Sequence, residues 1–509
     1  MTEGWAREGR MAVSTLITSI AQAIAMLGGG VLAALVGLKY GTGPTTDGFF
    51  AAYAVYALVV MLAQTSRTSI VARLTGDDDA EPFEEFNRFC GAALLLFLAS
   101  GLVFVLLGDE LAQVMTGDLP DEARDVERRA LLILWPAGGG QLLAALGAAM
   151  LALRDDYGHA AVGFGGGAAL SIAAFLALEP ALGIDALPVG IVIATAFTVA
   201  AVAVGLLKAG WRPAPRAALR IRAAATRARL ILVASLTLLL SQIANVVAVS
   251  VAGQMGSGAV TIYSYAFFAI GIVVAVLASS VSITLAGPIA AVWDRDPKSL
   301  RPQQREVVRT GLVLLVPILA AAALVGTDLG EAILTKFSDG DIADTVASFL
   351  ILAPTIVGAQ SIAIPVVALY TLGRYRDMAL MSAGTVALHA ALAIAAAGTD
   401  DVRVLAAAAT VAGLSSTVIT IVLLHGRQAS TPLRDLLTDV AQVAALAALA
   451  FVPLGLALDG LGAAGHAAAL AGGIVLFAIA ARAALPAHWA LIRRLVGVVV
   501  PARARPAAP

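Results

Sequence analysis

The sequence predicts an all-α polytopic membrane protein with about 14 transmembrane helices. Three observations carry that expectation. Of 509 residues, 60% are hydrophobic and only 13% charged, where soluble domains carry roughly 25% charged residues. The mean hydropathy of +0.91 leaves too little polar surface to coat a globule. The longest polar stretches, 75–88, 108–129, 209–229 and 294–309, are too short to fold as a soluble domain of their own.

An open strand edge cannot be satisfied in lipid, so each apolar run reads as a helix of ~20 residues or more. The spans are 13–38, 47–74, 88–107, 129–153, 159–178, 188–208, 229–252, 259–290, 308–327, 343–370, 377–397, 402–425, 436–458 and 464–484. Met1–Arg10 is short and polar, and the run behind it exceeds a signal-peptide core, so the first span is retained. Connecting loops alternate in charge. One set, from Arg7 and Arg10 to the tail's Arg503 and Arg505, holds 25 of the 33 Lys and Arg, and the opposite set holds six. Cytoplasmic loops carry the excess of basic residues, which predicts both termini in the cytoplasm.

The outer loops, such as Asp109–Glu127 and Asp328–Asp344, are short or acidic. They offer no sizeable outer domain of the kind membrane glycosyltransferases use. No Walker A motif, His-Glu-x-x-His or nucleophile elbow is present. The lone Cys90 excludes an internal disulfide and a Cys-based metal site. His159, His389, His425, His466 and His488 lack ligand spacing, with His389 alone a candidate proton site. A transporter without metal or cofactor is the class that remains.

The chain also repeats itself. Gly41-Thr-Gly-Pro-Thr-Thr-Asp-Gly-Phe-Phe-Ala51 matches Gly256-Ser-Gly-Ala-Val-Thr-Ile-Tyr-Ser-Tyr-Ala266 at Gly41/Gly256, Gly43/Gly258, Thr46/Thr261 and Ala51/Ala266. Both form a tight turn between the first and second helix of a unit, with Thr46 or Thr261 near the next helix's N-cap. Leu153–Ala160 echoes Leu372–Ala379 more weakly. Even-numbered units give parallel repeats related by a pseudo-two-fold axis along the membrane normal. The predicted organisation is an N-lobe at 1–208, a basic cytoplasmic linker at 209–228 and a C-lobe at 229–425. Two C-terminal helices at 426–485 and a cytoplasmic tail at 486–509 follow.

Several of these segments resemble the lipid II flippase family (MurJ/MviN type) of the multidrug/oligosaccharidyl-lipid/polysaccharide exporter superfamily. Gly41–Phe50 is similar to its G-x-G-x-x-T-D-A-F-F turn, and Ser241-Gln-Ile-Ala-Asn-Val-Val-Ala248 to its seventh helix. Tyr265-Ala266 with Ser282–Pro288 resembles its eighth helix, and Leu369–Asp377 its tenth-to-eleventh turn. The resemblance implies two six-helix lobes around a cavity and a lipid-accommodating pair of last helices. It also implies a bacterial inner-membrane location. Members place arginines and an acidic residue along helices one, two and eight, facing a cavity that receives a pyrophosphate. Here those positions fall on Met26, Leu32, Ala33, Val60, Met61 and Phe268, and a seventh-helix aspartate position on Ala248; Asp47 is retained.

Within the spans, Arg67 stands out, because a charge in the hydrocarbon layer costs ~2.5–3.5 kcal/mol on insertion scales. It is either a cavity cation for an anionic head group or an arginine snorkelling to the interface. Gln64 shares its face. Gln22, Gln242, Asn245 and Gln360, with Tyr265 from the resemblance, are the other cavity candidates. Gln242 and Asn245 share a face; each polar group either lines a wet path or bonds between helices. Asp47 is a gate or coupling residue, or complements the dipole of its own helix. Three functions follow. The first is a flippase for a polyprenyl-linked sugar, its partners being membrane lipids and that cargo, with no nucleic acid. The second is a proton- or sodium-coupled exporter of small molecules. The third is a non-transporting paralogue that scaffolds envelope assembly. A monomer is expected, and membrane potential, a proton or sodium is the candidate driving force.

Overall fold

Pro44 lacks an N–H and fixes φ, so it can open a helix directly after a glycine turn; it begins a 32-residue helix, Pro44–Thr75. The computed structural model describes residues 28–75, 81–154, 156–215, 220–274, 301–371 and 374–484. In order, α1 is Gly28–Tyr40, α2 Pro44–Thr75, α3 Pro82–Thr116, α4 Asp121–Ala152, α5 Gly158–Leu182 and α6 Ala186–Lys208. Next come α7 Ile221–Ala252, α8 Ala259–Val274, α9 Arg301–Ile333, α10 Asp339–Leu352 and α11 Pro354–Thr371. The last four are α12 Tyr375–Ala397, α13 Val402–His425, α14 Ser430–Leu458 and α15 Gly462–Ala484. Among the described residues, nine helical stretches are long and apolar enough to cross a membrane, and Gly28–Tyr40, Leu239–Ala252 and Ala259–Val274 are shorter apolar helices. The spans at 13–38 and 259–290 continue outside the described residues, so the count of fourteen stays a sequence expectation.

Two details depart from the hydropathy reading. The span at 343–370 is two helices, broken at Ala353 because Pro354 removes an N–H and disfavours α geometry in the residue before it. The acidic stretch Asp109–Glu127 is mostly helix, with α3 running to Thr116 and α4 starting at Asp121. Hydropathy marks only the apolar middle of a helix, and these polar ends continue past it.

The helices form two compact units. The first spans Met1–Ile272, Leu334–Thr345 and Tyr375–Ala412. In it α2 lies against α4 and α7, α5 pairs with α6, α3 packs on α4 and α7, and α12 covers α7. The second spans Val273–Ile333, Val346–Arg374 and Gly413–Pro509, where α9 meets α11, α14 and α15, and α14 pairs with α15. On α3, Leu98, Leu102, Val105 and Leu106 are exposed along one stripe, while Phe86, Phe89, Ala92 and Ala93 are buried on the other face. An apolar outer face on a helix already packed inward is what lipid contact requires.

Without a hydrophobic drive between helices in lipid, close packing depends on small residues. The triplet Gly138–Gly140 shows it: a Cβ on Gly138 would press on Val59 of α2, on Gly139 on Phe97 of α3, and on Gly140 on Thr195 of α6. Gly48 lies so close to the Ala123 carbonyl of α4 that a Cβ would overlap it. Gly48→Ala is therefore expected to lose most of the monodisperse protein in size-exclusion chromatography. Gly108→Ala, which meets nothing within 4 Å, is expected to behave as wild type.

Candidate functional site

The two repeat turns meet at one buried carboxylate. Gly41, at φ +71°, and Gly258, at φ +93°, take the left-handed conformation that lets each turn close. Thr46 Oγ1 donates to the carbonyls of Gly41 (3.1 Å) and Gly43 (2.9 Å), bracing its own turn. Asp47, the next residue, is fully buried. Its carboxylate accepts hydrogen bonds from Gly258 N (2.6 Å), Thr261 N (2.9 Å) and Thr261 Oγ1 (2.6 Å). Those N–H groups are among the orphan donors at the start of α8, where the helix dipole is positive. Asp47 thus caps α8, a helix more than two hundred residues away, rather than serving only its own α2. The threonines, expected near an N-cap, donate instead of accepting: Thr46 to its turn and Thr261 to Asp47. The repeat is broken here, because the counterpart of Asp47 is the buried Ile262.

Polar pairs surround this clasp. Thr42 donates to Asp341 (2.7 Å), which also accepts from Ser338 N (3.2 Å). Lys39 pairs with Glu179, and Tyr40 donates to the same carboxylate at 3.2 Å. Thr45 donates to Glu122 (2.6 Å), and Arg403 pairs with Asp344. Gly41 lies against the Lys336 backbone, leaving no room for a Cβ.

Directly behind Asp47, aromatic rings fill the space between α2 and α8. Phe50 meets Tyr265 and Phe268 at 5.3 and 5.7 Å between centroids, and Tyr53 meets Phe268 edge-on at 5.2 Å. The Tyr265 hydroxyl donates to the Ala33 carbonyl at 2.6 Å. Tyr265 therefore ties α8 to α1, three residues before Phe268, where the family resemblance implies an arginine. Gln242 is buried and donates to the Ala54 carbonyl at 3.4 Å, an interhelical bond between α7 and α2. Asn245, one turn on, is buried with its Oδ1 unpartnered among the described residues. Gln360 lies in the second unit, buried against Gly311, with its Nε2 unpartnered among the described residues. His389 is buried on α12. Gln64 and Arg67 fall on α2, with side chains outside the described set, and Gln22 lies outside the described residues. Within the first unit Asp47 and Tyr265 both lie along the contact of α2 with α8, and Gln242 reaches α2 from α7 two turns farther on.

A family model described as "Lipid II flippase MurJ" matches residues 38–460. The chain belongs to that family. The match bears out the resemblance read from the turn and helix motifs. A search of curated protein sequences finds no match. Among solved structures, lipid II flippase MurJ in an inward closed conformation is similar, with a TM-score of 0.73 at 14% identity. That alignment covers 95% of this chain and 99% of the other. An inward-facing multidrug resistance MATE family transporter gives a TM-score of 0.60 at 14% identity, over 84% of this chain and 98% of that one. A superfamily transporter from Pyrococcus furiosus, described as having a binding pocket of reversed polarity, gives 0.59 at 16% identity, covering 82% and 96%. These structures share the fold, and the MurJ-family chain is a multi-pass membrane protein of the flippase type.

Two charge networks of this MurJ-family chain escaped the sequence reading. On the second unit, Asp439 of α14 is fully buried and accepts from Arg305 (Nε 2.8 Å, Nη2 3.0 Å) and Arg309 (both 3.2 Å) of α9. Arg301 reaches Asp435 at 2.8 Å beside it. On the first unit, Glu85 of α3 takes both Arg227 of α7 (2.9 and 3.0 Å) and Arg88 (3.1 Å). The signal was available: Arg301, Arg305 and Arg309 recur every fourth residue, as do Asp435 and Asp439, so each set lines one helical face.

Proposed function

We propose that the chain flips a lipid-linked cell-envelope precursor, lipid II or a related polyprenyl-pyrophosphate sugar, from the inner to the outer leaflet of a bacterial cytoplasmic membrane. Two lobes, 1–208 and 229–425, alternate in access around a cavity, with both termini in the cytoplasm and spans 13 and 14 lodging the lipid tail. The observation that carries this reading is Asp47 capping α8 across the repeat, which acts as the outward-side gate. A carboxylate gripping backbone N–H groups is strong when dry and easily replaced when wet, which suits a gate that opens once per cycle. Arg67, Gln64 and Gln22 with Gln242, Asn245 and Gln360 are the cavity residues, and the protein works as a monomer driven by a proton, sodium or the membrane potential.

One observation favours a modified version. Phe268 and Leu32 occupy arginine positions of the family pattern, and Phe268 sits within an aromatic cluster. The cargo's diphosphate is therefore held by other residues, with Arg67 the foremost. Complementation tests both points: cells depleted of their essential lipid II flippase are expected to be rescued by the wild-type chain. Arg67→Ala is expected to reduce rescue at least tenfold in plating efficiency. Failure of the wild-type chain at normal expression overturns the cargo, favouring the exporter or scaffold readings. Full rescue by Arg67→Ala removes that residue from the mechanism.

A further inference from the structure

We propose that Glu127 is a proton-binding site, occupied while α4 is packed on α2 and emptied when that packing opens. Glu127 lies in the second turn of α4, which begins at Asp121. It is completely buried, and neither carboxyl oxygen has a hydrogen-bond partner among the described residues. Its helix neighbours Ala123, Val126, Ala130 and Leu131 belong to an apolar cluster with Phe49, Ala51 and Ala52 of α2 and Leu187 of α6.

Arg124 aside, the charged groups on the surrounding elements are engaged elsewhere or exposed. Asp47 of α2 is held by Gly258 and Thr261. On α4 itself, Arg124 pairs with Asp121 at 3.3 Å, Arg128 with Asp109 of α3 at 3.2 Å, and Arg129 with Asp185, before α6, at 3.0 Å. Glu122 accepts from Thr45, and Glu179 of α5 pairs with Lys39. Glu110 of α3 and Asp125 of α4 are exposed. Arg124, one turn before Glu127, is the cation that acts on it through space; no hydrogen bond joins the two, and the Arg124 Nε is itself buried without a partner among the described residues. An ionised carboxylate sealed in apolar surroundings with no donor is strongly disfavoured, whereas the neutral carboxyl is tolerated. The packed state shown here is the one that suits the neutral group.

The site is mechanically joined to the clasp. Ala123, one turn before Glu127, touches Gly48 so closely that no Cβ fits, and Gly48 directly follows Asp47. Lifting α4 from α2 lets water reach Glu127, and it parts the two helices beside Asp47. The proton leaves the carboxyl oxygen for bulk water at the exposed start of α4 and returns from it; no other bond changes. That this exchange drives cargo rests on the flippase reading, whereas the proton site itself does not.

Infrared difference spectroscopy between acidic and alkaline buffer, on the full-length protein in lipid nanodiscs, tests the site. A protonated-carboxyl C=O band is expected in wild type and is expected to vanish in Glu127→Gln; an unchanged band overturns the proposal. Spin labels at Asp125 and Ser257, both exposed, on a Cys90→Ala background read the packing. Their distance is expected to shift with pH in wild type and stay at the packed value in Glu127→Gln. No shift in wild type, or the same shift in both, overturns it. Should Glu127→Gln not fold, Glu127→Met serves for both readouts. Loss of flipping with both signatures intact sinks only the flippase reading.

Discussion

Asp47→Asn is expected to unfasten the clasp between the two repeat turns and to reduce rescue of flippase-depleted cells to background. The carboxylate accepts three short hydrogen bonds, two of them from main-chain N–H groups at the start of α8. Asparagine brings one acceptor oxygen and turns an NH2 towards a backbone donor. A buried donor left unpaired costs about 1–3 kcal/mol, and the charge-assisted bonds lost with it are roughly twice as strong as neutral ones. A combined loss of about 3 kcal/mol lowers the population of the clasped state about 100-fold. Ala51→Cys on a Cys90→Ala background reports it, because Ala51 is fully buried one turn along α2. Maleimide labelling from water is expected to rise steeply in Asp47→Asn and only modestly in Thr261→Val, which removes one bond of three. Unchanged labelling together with full rescue would sink the gate.

The second large effect concerns stability. Asp439→Asn takes the shared carboxylate away from Arg305 and Arg309, leaving Arg305 only its longer pairing with Asp435 at 3.5 Å. Breaking a buried ion pair by removing one partner costs about 3–5 kcal/mol. Both guanidiniums keep some solvent contact, so about 2–3 kcal/mol is expected. Fluorescence-detected size-exclusion chromatography after heating is expected to show a fall of several degrees in melting temperature. Arg309→Gln is expected to cost less, because Arg305 still holds Asp439 through two bonds. Combining Arg305→Gln with Asp439→Asn is expected to recover part of the loss, the signature of direct coupling. Equal destabilisation by all three would show instead that α9 and α14 are held by their apolar contacts.

Much of the fold was legible because lipid enforces a simple grammar. Runs of apolar residues must be helices, and the paired Gly-x-Gly turns announce reversal whatever surrounds them. The ends were less legible. Asp121 and Glu127 look like a loop to hydropathy, yet they occupy the opening turns of α4. The site was legible by halves. Asp47 was identifiable, but its partners Gly258 and Thr261 lie over two hundred residues away, and nothing local says that a carboxylate will cap another helix. The arginine positions on Leu32 and Phe268 could be read as missing. That Tyr265 and the neighbouring rings would fill that space could not, since ring packing is a property of three helices at once. Glu127 was invisible for the same reason: an acid among acids becomes unusual only when its surroundings prove dry.

Two of the three donors that grip Asp47 belong to the main chain, and no codon change short of one to proline can remove or relocate them. A genetic selection for restored growth, begun from Asp47→Asn, should therefore return almost exclusively to aspartate, or to glutamate at that same codon. Second-site revertants at positions 258 or 261 should be scarce, for evolution can alter what is offered to these amides but not the amides themselves.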